Sequence, residues 1–221
     1  MFKENPAPID ITDYQPTGAD DLIRNPLLKE VREVIDRFGG SGSAKARTFV
    51  SMERQSLIGQ YAFAIPTADT LDTVARRSPL VEIGAGSGYW AMCLSSAGAD
   101  IIAYDIFPPG GDPFNISQRN WQFRKSYFDV RKGDDSAAAD HPDRTLFLCW
   151  PPPENPMGSR ALDAYIKAGG HTAIVIGQMN RPVVMGDARL FEILKELEVI
   201  ERRFIHGWPG FNEEIVICKC R

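Results

Sequence analysis

The chain has 221 residues, enough for one domain with a sizeable core. Its 43% hydrophobic and 24% charged content is ordinary for a globular fold and excludes collagen-like, coiled-coil and disordered classes. With 25 basic against 29 acidic side chains the formal charge is −4, and no basic stripe offsets it, which argues against a nucleic-acid partner.

No apolar run approaches the roughly 20 residues of a membrane span, so no membrane partner is expected. The opening stretch, Met1 to Tyr14, lacks the basic, apolar and small-residue order of a signal peptide, and a cytoplasmic location is expected. Cys93, Cys149, Cys218 and Cys220 form no CxxC pair and read as free thiols, so no metal is expected.

In chain order, residues 1–20 are polar and proline-containing and are expected to form an arm without regular structure. Asn25-Pro26 offers an N-cap and a proline at the first helical position. Leu27, Leu28, Val31, Val34, Ile35 and Phe38 then recur at helical steps until Gly39-Gly40. The Gly/Ser stretch to Ser43 reads as a joint. A second helix is predicted from about Thr48 to Gly59, and a third from about Thr67 to Arg77.

After Ser78-Pro79 short apolar runs alternate with helical stretches. The predicted strands are Leu80–Ile83, Asp100–Tyr104, Tyr127–Arg131, Leu146–Cys149, Ala173–Ile176, Val199–Ile205 and Glu214–Cys218. Helices are predicted at Tyr89–Ala97, Pro156–Lys167 and Ala188–Glu196. This alternation implies βαβ units and a mostly parallel sheet covered on both faces. The last two strands are joined too tightly for a parallel crossover and should pair antiparallel. The expected organisation is a helical N-terminal extension over 1–78 and an α/β unit over 79–221.

The sharpest motif is Val81-Glu82-Ile83-Gly84-Ala85-Gly86-Ser87-Gly88-Tyr89-Trp90, in which a strand enters three alternating glycines and a helix follows. Glycine there permits a tight turn and lets backbone N–H groups approach a ligand. The next strand ends in Asp105, 21 positions after Gly84, where a carboxylate reaches the sheet crevice and accepts ribose hydroxyls. The spacing is G-x-G-x-G rather than the dinucleotide G-x-G-x-x-G, and Glu82 beside it repels a diphosphate and welcomes a cation.

This pattern resembles motif I of the class I S-adenosylmethionine-dependent methyltransferases, and the resemblance runs from about Leu80 to the C-terminus. It implies a doubly wound seven-stranded Rossmann-like sheet with its last strand antiparallel, and S-adenosylmethionine as cofactor. Cofactor contacts are expected from Glu82, Gly84, Ala85, Gly86, Gly88, Tyr89, Trp90 and Asp105. Asp134 or Asp135 would meet the adenine amino group, or simply form a solvated turn. The segment Tyr61 to Leu71 precedes the motif, as in short relatives with an AIP segment and an EIGAG turn. Tyr61 and Phe63 then read either as walls near a sulfonium, through cation–π attraction, or as core aromatics.

The fourth strand ends in Cys149-Trp150-Pro151-Pro152-Pro153-Glu154-Asn155-Pro156. The run resembles the D/N-P-P-Y/F motif of amino-group methyltransferases, but Trp150 takes the acceptor position and Pro153 the aromatic one. Indole only donates, so it cannot orient an amine in the same way. Consecutive prolines make a rigid wall with free carbonyls, and Trp150 presents a face for the cofactor's sulfonium or for a flat substrate. Tyr61, Trp150, Pro151 and Glu154 are therefore the expected catalytic group. Gln178, after the fifth strand, is a candidate substrate contact, Asp187 reads as a helix cap, and His206 as structural.

The leading expectation is a transferase that methylates a small molecule. In an alternative, S-adenosylmethionine is itself the substrate. Its α-amine attacks its own γ-carbon and gives an azetidine and methylthioadenosine, with Glu154 or a backbone carbonyl holding the amine. A third reading is a non-catalytic binder of the same ligand. A homodimer stays open.

Overall fold

A computed structural model of the protein describes residues 9–16, 24–109, 123, 125–181 and 183–220. Its core is a seven-stranded sheet. In chain order the strands are β2 (Leu80–Ile83), β3 (Ile101–Asp105), β4 (Val130–Lys132), β5 (Thr145–Cys149), β6 (Thr172–Gly177), β7 (Glu198–Phe204) and β9 (Glu214–Lys219). In space they lie in the order β4-β3-β2-β5-β6-β9-β7. The first five are mutually parallel, and β9 runs antiparallel to both β6 and β7. The expected fold class, a doubly wound and mostly parallel seven-stranded sheet, is what the chain forms.

The order matters for function. From β2 the chain moves outward to β3 and β4, then returns to the other side of β2 for β5 and β6. The winding direction reverses beside β2, and in open α/β sheets a ligand crevice opens outside the strand ends at that point. The central strands read as continuous apolar runs because both faces are covered: every residue of β2 is buried, as are Leu146–Leu148 and Ala173–Gly177.

Helices α4 (Tyr89–Ser96), α5 (Met157–Lys167) and α6 (Ala188–Glu196) follow β2, β5 and β6. Asp187 caps α6 by accepting the Leu190 N–H at 3.2 Å. Before the sheet come α1 (Pro26–Arg37), α2 (Ala44–Gln60) and α3 (Ala68–Ala75). Asn25 caps α1 through its side chain, which accepts the Leu28 N–H at 3.0 Å, and Pro26 sits where no N–H is needed. Leu27, Leu28, Val31 and Ile35 then bury one stripe in the same hydrophobic core as the sheet.

Three expectations on boundaries change. The second helix starts at Ala44 rather than near Thr48, because Ser43 caps it, accepting the Ala46 N–H. The third strand shrinks to Val130–Lys132, the sheet edge. The arm has structure from residue 9 onward, while 1–8 and 17–20 lie outside the described residues. Strand β1 (Ile9–Asp10) pairs parallel with β8 (His206–Gly207), and a 3-10 turn follows at Ile11–Asp13. Ile11 and Thr12 are fully buried. The segment is too short to show periodicity, and its partner strand lies nearly 200 residues away, so no local pattern announces it.

Candidate functional site

The β2–α4 turn is built from left-handed backbone. Gly84, Gly86 and Gly88 have φ of 75°, 56° and 73°, a region that side chains rarely adopt. The carboxylate that closes β3 braces the turn: Asp105 accepts the Gly86 N–H at 2.9 Å with one oxygen and the Phe107 N–H at 2.8 Å with the other. Each oxygen keeps a lone pair for a further donor. Ser87 at the turn donates its hydroxyl to the Tyr61 carbonyl, which ties the glycine turn to the end of α2.

A cavity of about 570 Å³ opens over this turn, of the size that takes one small ligand. Its floor is Glu82, Ile83 and the backbone from Gly84 to Ser87. Trp90 and Asp105 border it on one side, and Asp134 and Asp135 lie further along. Tyr61, Ala62 and Phe63, in the segment that follows α2, close it on another side, and Trp150 to Pro153 close it from the tip of β5. Of the sequence-predicted site residues, the fold brings together Tyr61, Glu82, Gly84, Ala85, Gly86, Trp90, Asp105, Asp134, Trp150 and Pro151.

Gly88, Tyr89 and Glu154 are placed elsewhere. Tyr89 points into the core, where its hydroxyl donates to Asn25 Oδ1 at 2.7 Å and accepts the Leu27 N–H at 2.9 Å. That bond anchors α1 to α4, a structural role in place of the expected cofactor contact. Gly88 packs against Val130 and Phe128, on the side of β4. Glu154 is exposed, with φ 55° and its backbone N–H donated to Gly186, off the cavity wall. Asp134 turns its carboxylate onto Ser136, capping the 3-10 turn over Asp135–Asp140.

Electrostatics single out Glu82. It is 2% exposed, and its Oε2 is buried without a hydrogen-bond partner. Burial, followed by the nearby Asp105 charge, pushes its carboxyl up to about 8. An unpaired carboxyl in an apolar and aromatic enclosure is a seat for a cation or for a good donor. Tyr61 lines the same cavity. Its hydroxyl donates to Glu30 of α1, and burial together with that carboxylate raises its ionisation above the ordinary phenol range.

The ring wall is continuous. Phe63 lies nearly parallel to Trp150, centroids 6.0 Å apart, and Phe123 meets Phe63 edge-on at 6.1 Å. Trp150 holds φ 51°, a strained position for a tryptophan, fixed by its N–H donated to Ile176 at 2.8 Å. Sequence reasoning missed Phe107, Phe123, Met157 and Arg160 on the lining. Phe123 carried no local signal, since it belongs to no strand or helix. Met157 is the first residue of α5, packed against Gly84, and its position after the Pro-rich run was a usable sign. Among the described residues no group of three or more His, Cys, Asp or Glu is placed to hold a metal ion, and no helix is long and apolar enough to cross a membrane.

No protein-family model matches the chain, and no curated protein matches it. Among solved structures, magnesium protoporphyrin IX methyltransferase from Synechocystis with bound SAM is 13% identical with a TM-score of 0.44, over 93% of this chain and 99% of that one. MtNAS in complex with S-adenosylmethionine is 14% identical with a TM-score of 0.47, over 88% and 72%. TehB from Haemophilus influenzae is 14% identical with a TM-score of 0.43, over 76% and 66%. Likeness at this distance assigns the chain no activity, and its site is read from its own residues.

Proposed function

We propose that the chain is an S-adenosylmethionine-dependent enzyme that methylates a small acceptor. The observation that carries this reading is the unpaired, buried Glu82 carboxyl beside a three-glycine turn, facing an aromatic wall. A phosphate-bearing cofactor would find no cationic partner there and would disfavour ionisation of the carboxyl, whereas a ligand with cationic centres is partnered by its ionised form. When bound, the cofactor supplies a methyl carbon on a positively charged sulfur.

The residues fit that ligand. Asp105 has lone pairs left for two sugar hydroxyls. Gly84 and Gly86 let the Met157 and Phe123 side chains close against the turn, since a Cβ on Gly84 would stand 2.6 Å from the Met157 methyl and one on Gly86 2.4 Å from the Phe123 ring. Tyr61, Phe63 and Trp150 present ring faces to a sulfonium and exclude water. Methyl transfer is an in-line displacement: the acceptor's lone pair forms the new bond to carbon, the sulfur keeps the electrons of the broken bond, and the acceptor's proton leaves. The protein contributes mainly position and dryness.

A second reading keeps the ligand and changes the reaction. Trp150 and Pro151–Pro153 offer no side-chain acceptor to an incoming amine, and the cavity is of one-ligand size. Intramolecular ring closure needs only S-adenosylmethionine. Mass spectrometry separates the two: methyl transfer yields adenosylhomocysteine only when an acceptor is supplied, and ring closure yields methylthioadenosine from the cofactor alone. Calorimetric titration with adenosylhomocysteine and with NADH tests the class, and tight NADH binding with none of the nucleoside overturns it.

A further inference from the structure

Phe63 and Trp150, the two nearly parallel rings of the cavity wall, are both met from behind by the turn between β8 and β9. Trp208 in that turn is fully buried and donates its indole N–H to the Phe63 carbonyl at 2.6 Å, which fixes the segment carrying the first ring. Glu213 ends the turn and is itself fully buried. Its carbonyl accepts the Ile205 N–H at 2.9 Å, and its side chain lies over Gly207, where a Cβ would stand 3.0 Å from Glu213 Cγ. Backbone bonding and packing therefore fix where the Glu213 carboxyl sits, and it sits against the second ring.

Three groups face that carboxyl: the Trp150 indole N–H, the Trp208 backbone N–H and the Arg54 charge from α2. None of them closes to hydrogen-bond length, and Trp150 Nε1 and both Glu213 oxygens are buried with no other partner. A buried donor and a buried acceptor left open both gain by approach, because neither can turn to water instead. The carboxyl therefore draws on the N–H edge of the indole. Arg54 fills the space beside them, its guanidinium carbon 4.0 Å from the Phe211 ring centre and 6.0 Å from that of Trp150. Glu213 is the carboxyl that offsets this cation behind the wall.

The bond from Trp150 to Ile176 fixes the tryptophan backbone at φ 51° but leaves the rotation of its ring open. A cation gains from an indole only when it lies over the ring face, so that rotation decides whether the wall attracts a sulfonium. We infer that Glu213 is a positioning residue for Trp150: from behind the wall its carboxyl holds the N–H edge of the indole and so keeps the ring face turned to the cavity. The consequence for a sulfonium rests on the S-adenosylmethionine reading; the hold on the indole does not.

Two measurements on the full chain decide it. The first follows the indole N–H resonance of Trp150 in isotope-labelled protein, assigned by its loss in Trp150→Leu. Burial raises the Glu213 carboxyl to about 8, with Arg54 opposing. The Cys149 thiol, which also feels this charge, is pushed well above the ordinary thiol range by its own burial. An ionised carboxyl is the stronger acceptor, so the resonance should move downfield with a midpoint near 8. The movement should vanish in Glu213→Gln and survive in Glu82→Gln, which removes the other carboxyl that burial raises to about 8. A resonance that stays fixed in the wild type, still moves in Glu213→Gln or stops moving in Glu82→Gln overturns the proposal.

The second is calorimetry with S-adenosylmethionine and adenosylhomocysteine. Glu213→Met, which leaves the indole without an acceptor, should cut the preference for the sulfonium by about three- to tenfold. Glu213→Gln keeps a carbonyl for the indole and should restore most of that preference. In a Trp150→Leu background, Glu213→Met should change the preference no further. A residue that served stability alone would weaken both ligands alike, so an unchanged ratio in Glu213→Met, or an equal further loss in the Trp150→Leu background, overturns the proposal. If the wild type binds neither nucleoside, the cofactor reading falls, and the indole resonance by itself decides the role of Glu213.

Discussion

Asp105 and Gly86 are locked together: the carboxylate ending one strand accepts the backbone N–H of the middle glycine in the neighbouring strand's turn, at 2.9 Å. The residue read from sequence as a ligand contact is therefore a brace for the glycine turn that floors the cavity. Asp105→Ala should weaken adenosylhomocysteine binding by about 10- to 100-fold, the loss of a charge-assisted contact of roughly 1.5–3 kcal/mol. It should also lower the melting temperature by a few degrees. Calorimetry with the nucleoside and its 2′-deoxy analogue separates the effects. The analogue should already bind weakly to the wild type and lose less on substitution. An unchanged dissociation constant removes Asp105 from the site.

The stability of the ligand-free protein should fall as pH rises. The Glu82 carboxyl ionises near 4.5 in a free chain and near 8 in the fold, because burial and Asp105 oppose its charge. Between those values the unfolded chain has lost the proton and the native protein keeps it, so rising pH favours unfolding. Above about 8 both states are ionised and the curve flattens. Glu213 titrates over the same window for the same chief reason, burial. Melting temperatures from pH 5 to 9 should show this decline, and Glu82→Gln or Glu213→Gln should each remove part of it. A wild-type curve that is flat or rises over this window contradicts the assignment. Binding of a cation at Glu82 expels the proton, so cofactor affinity should increase with pH over the same range.

These two carboxyls also show what the sequence could and could not disclose. Glu82 was legible because it stands two places before a glycine spacing that fixes strand, turn and helix at once. The sheet was legible as well, since buried parallel strands are short apolar runs separated by helical ones. Glu213 was not. Its significance comes from the register of β6 against β9 and from Arg54 on a helix some 160 positions earlier, neither of which leaves a local trace. Tyr89 failed in the opposite direction. Its place in the motif suggested a ligand contact, but the helical turn rotates it inward, where Asn25 and Leu27 satisfy its hydroxyl.

The three glycines of the turn should not be equally replaceable. A Cβ on Gly84 would meet the terminal methyl of Met157 at 2.6 Å, the far end of a flexible side chain. A Cβ on Gly88 would meet Val130 at 2.7 Å, Phe128 Cβ at 2.9 Å and the Phe128 backbone N at 3.2 Å. Both carry the left-handed penalty of about 1–2 kcal/mol. Gly84→Ala should therefore cost about that much, and Gly88→Ala more, because the backbone leading into β4 has to move. Denaturant melts would check the order. A Gly88→Ala variant as stable as Gly84→Ala would mean that this backbone gives way easily.

Trp150 offers the most direct reading of ligand charge. Its ring lines the cavity, backed by Phe63 on one side and Phe211 at 6.2 Å. S-adenosylmethionine and adenosylhomocysteine differ by one methyl group and one positive charge at sulfur. Cation–π attraction acts on the first and not on the second, and at a desolvated site it reaches about 0.5–2 kcal/mol. Trp150→Leu keeps an apolar side chain and removes the ring quadrupole. It should raise the dissociation constant of S-adenosylmethionine by about 2- to 30-fold more than that of adenosylhomocysteine. Phe63→Leu, one ring further along the same wall, should shift the ratio the same way by less. If both ligands weaken equally in Trp150→Leu, the ring serves only as packing, and the sulfonium lies against some other wall.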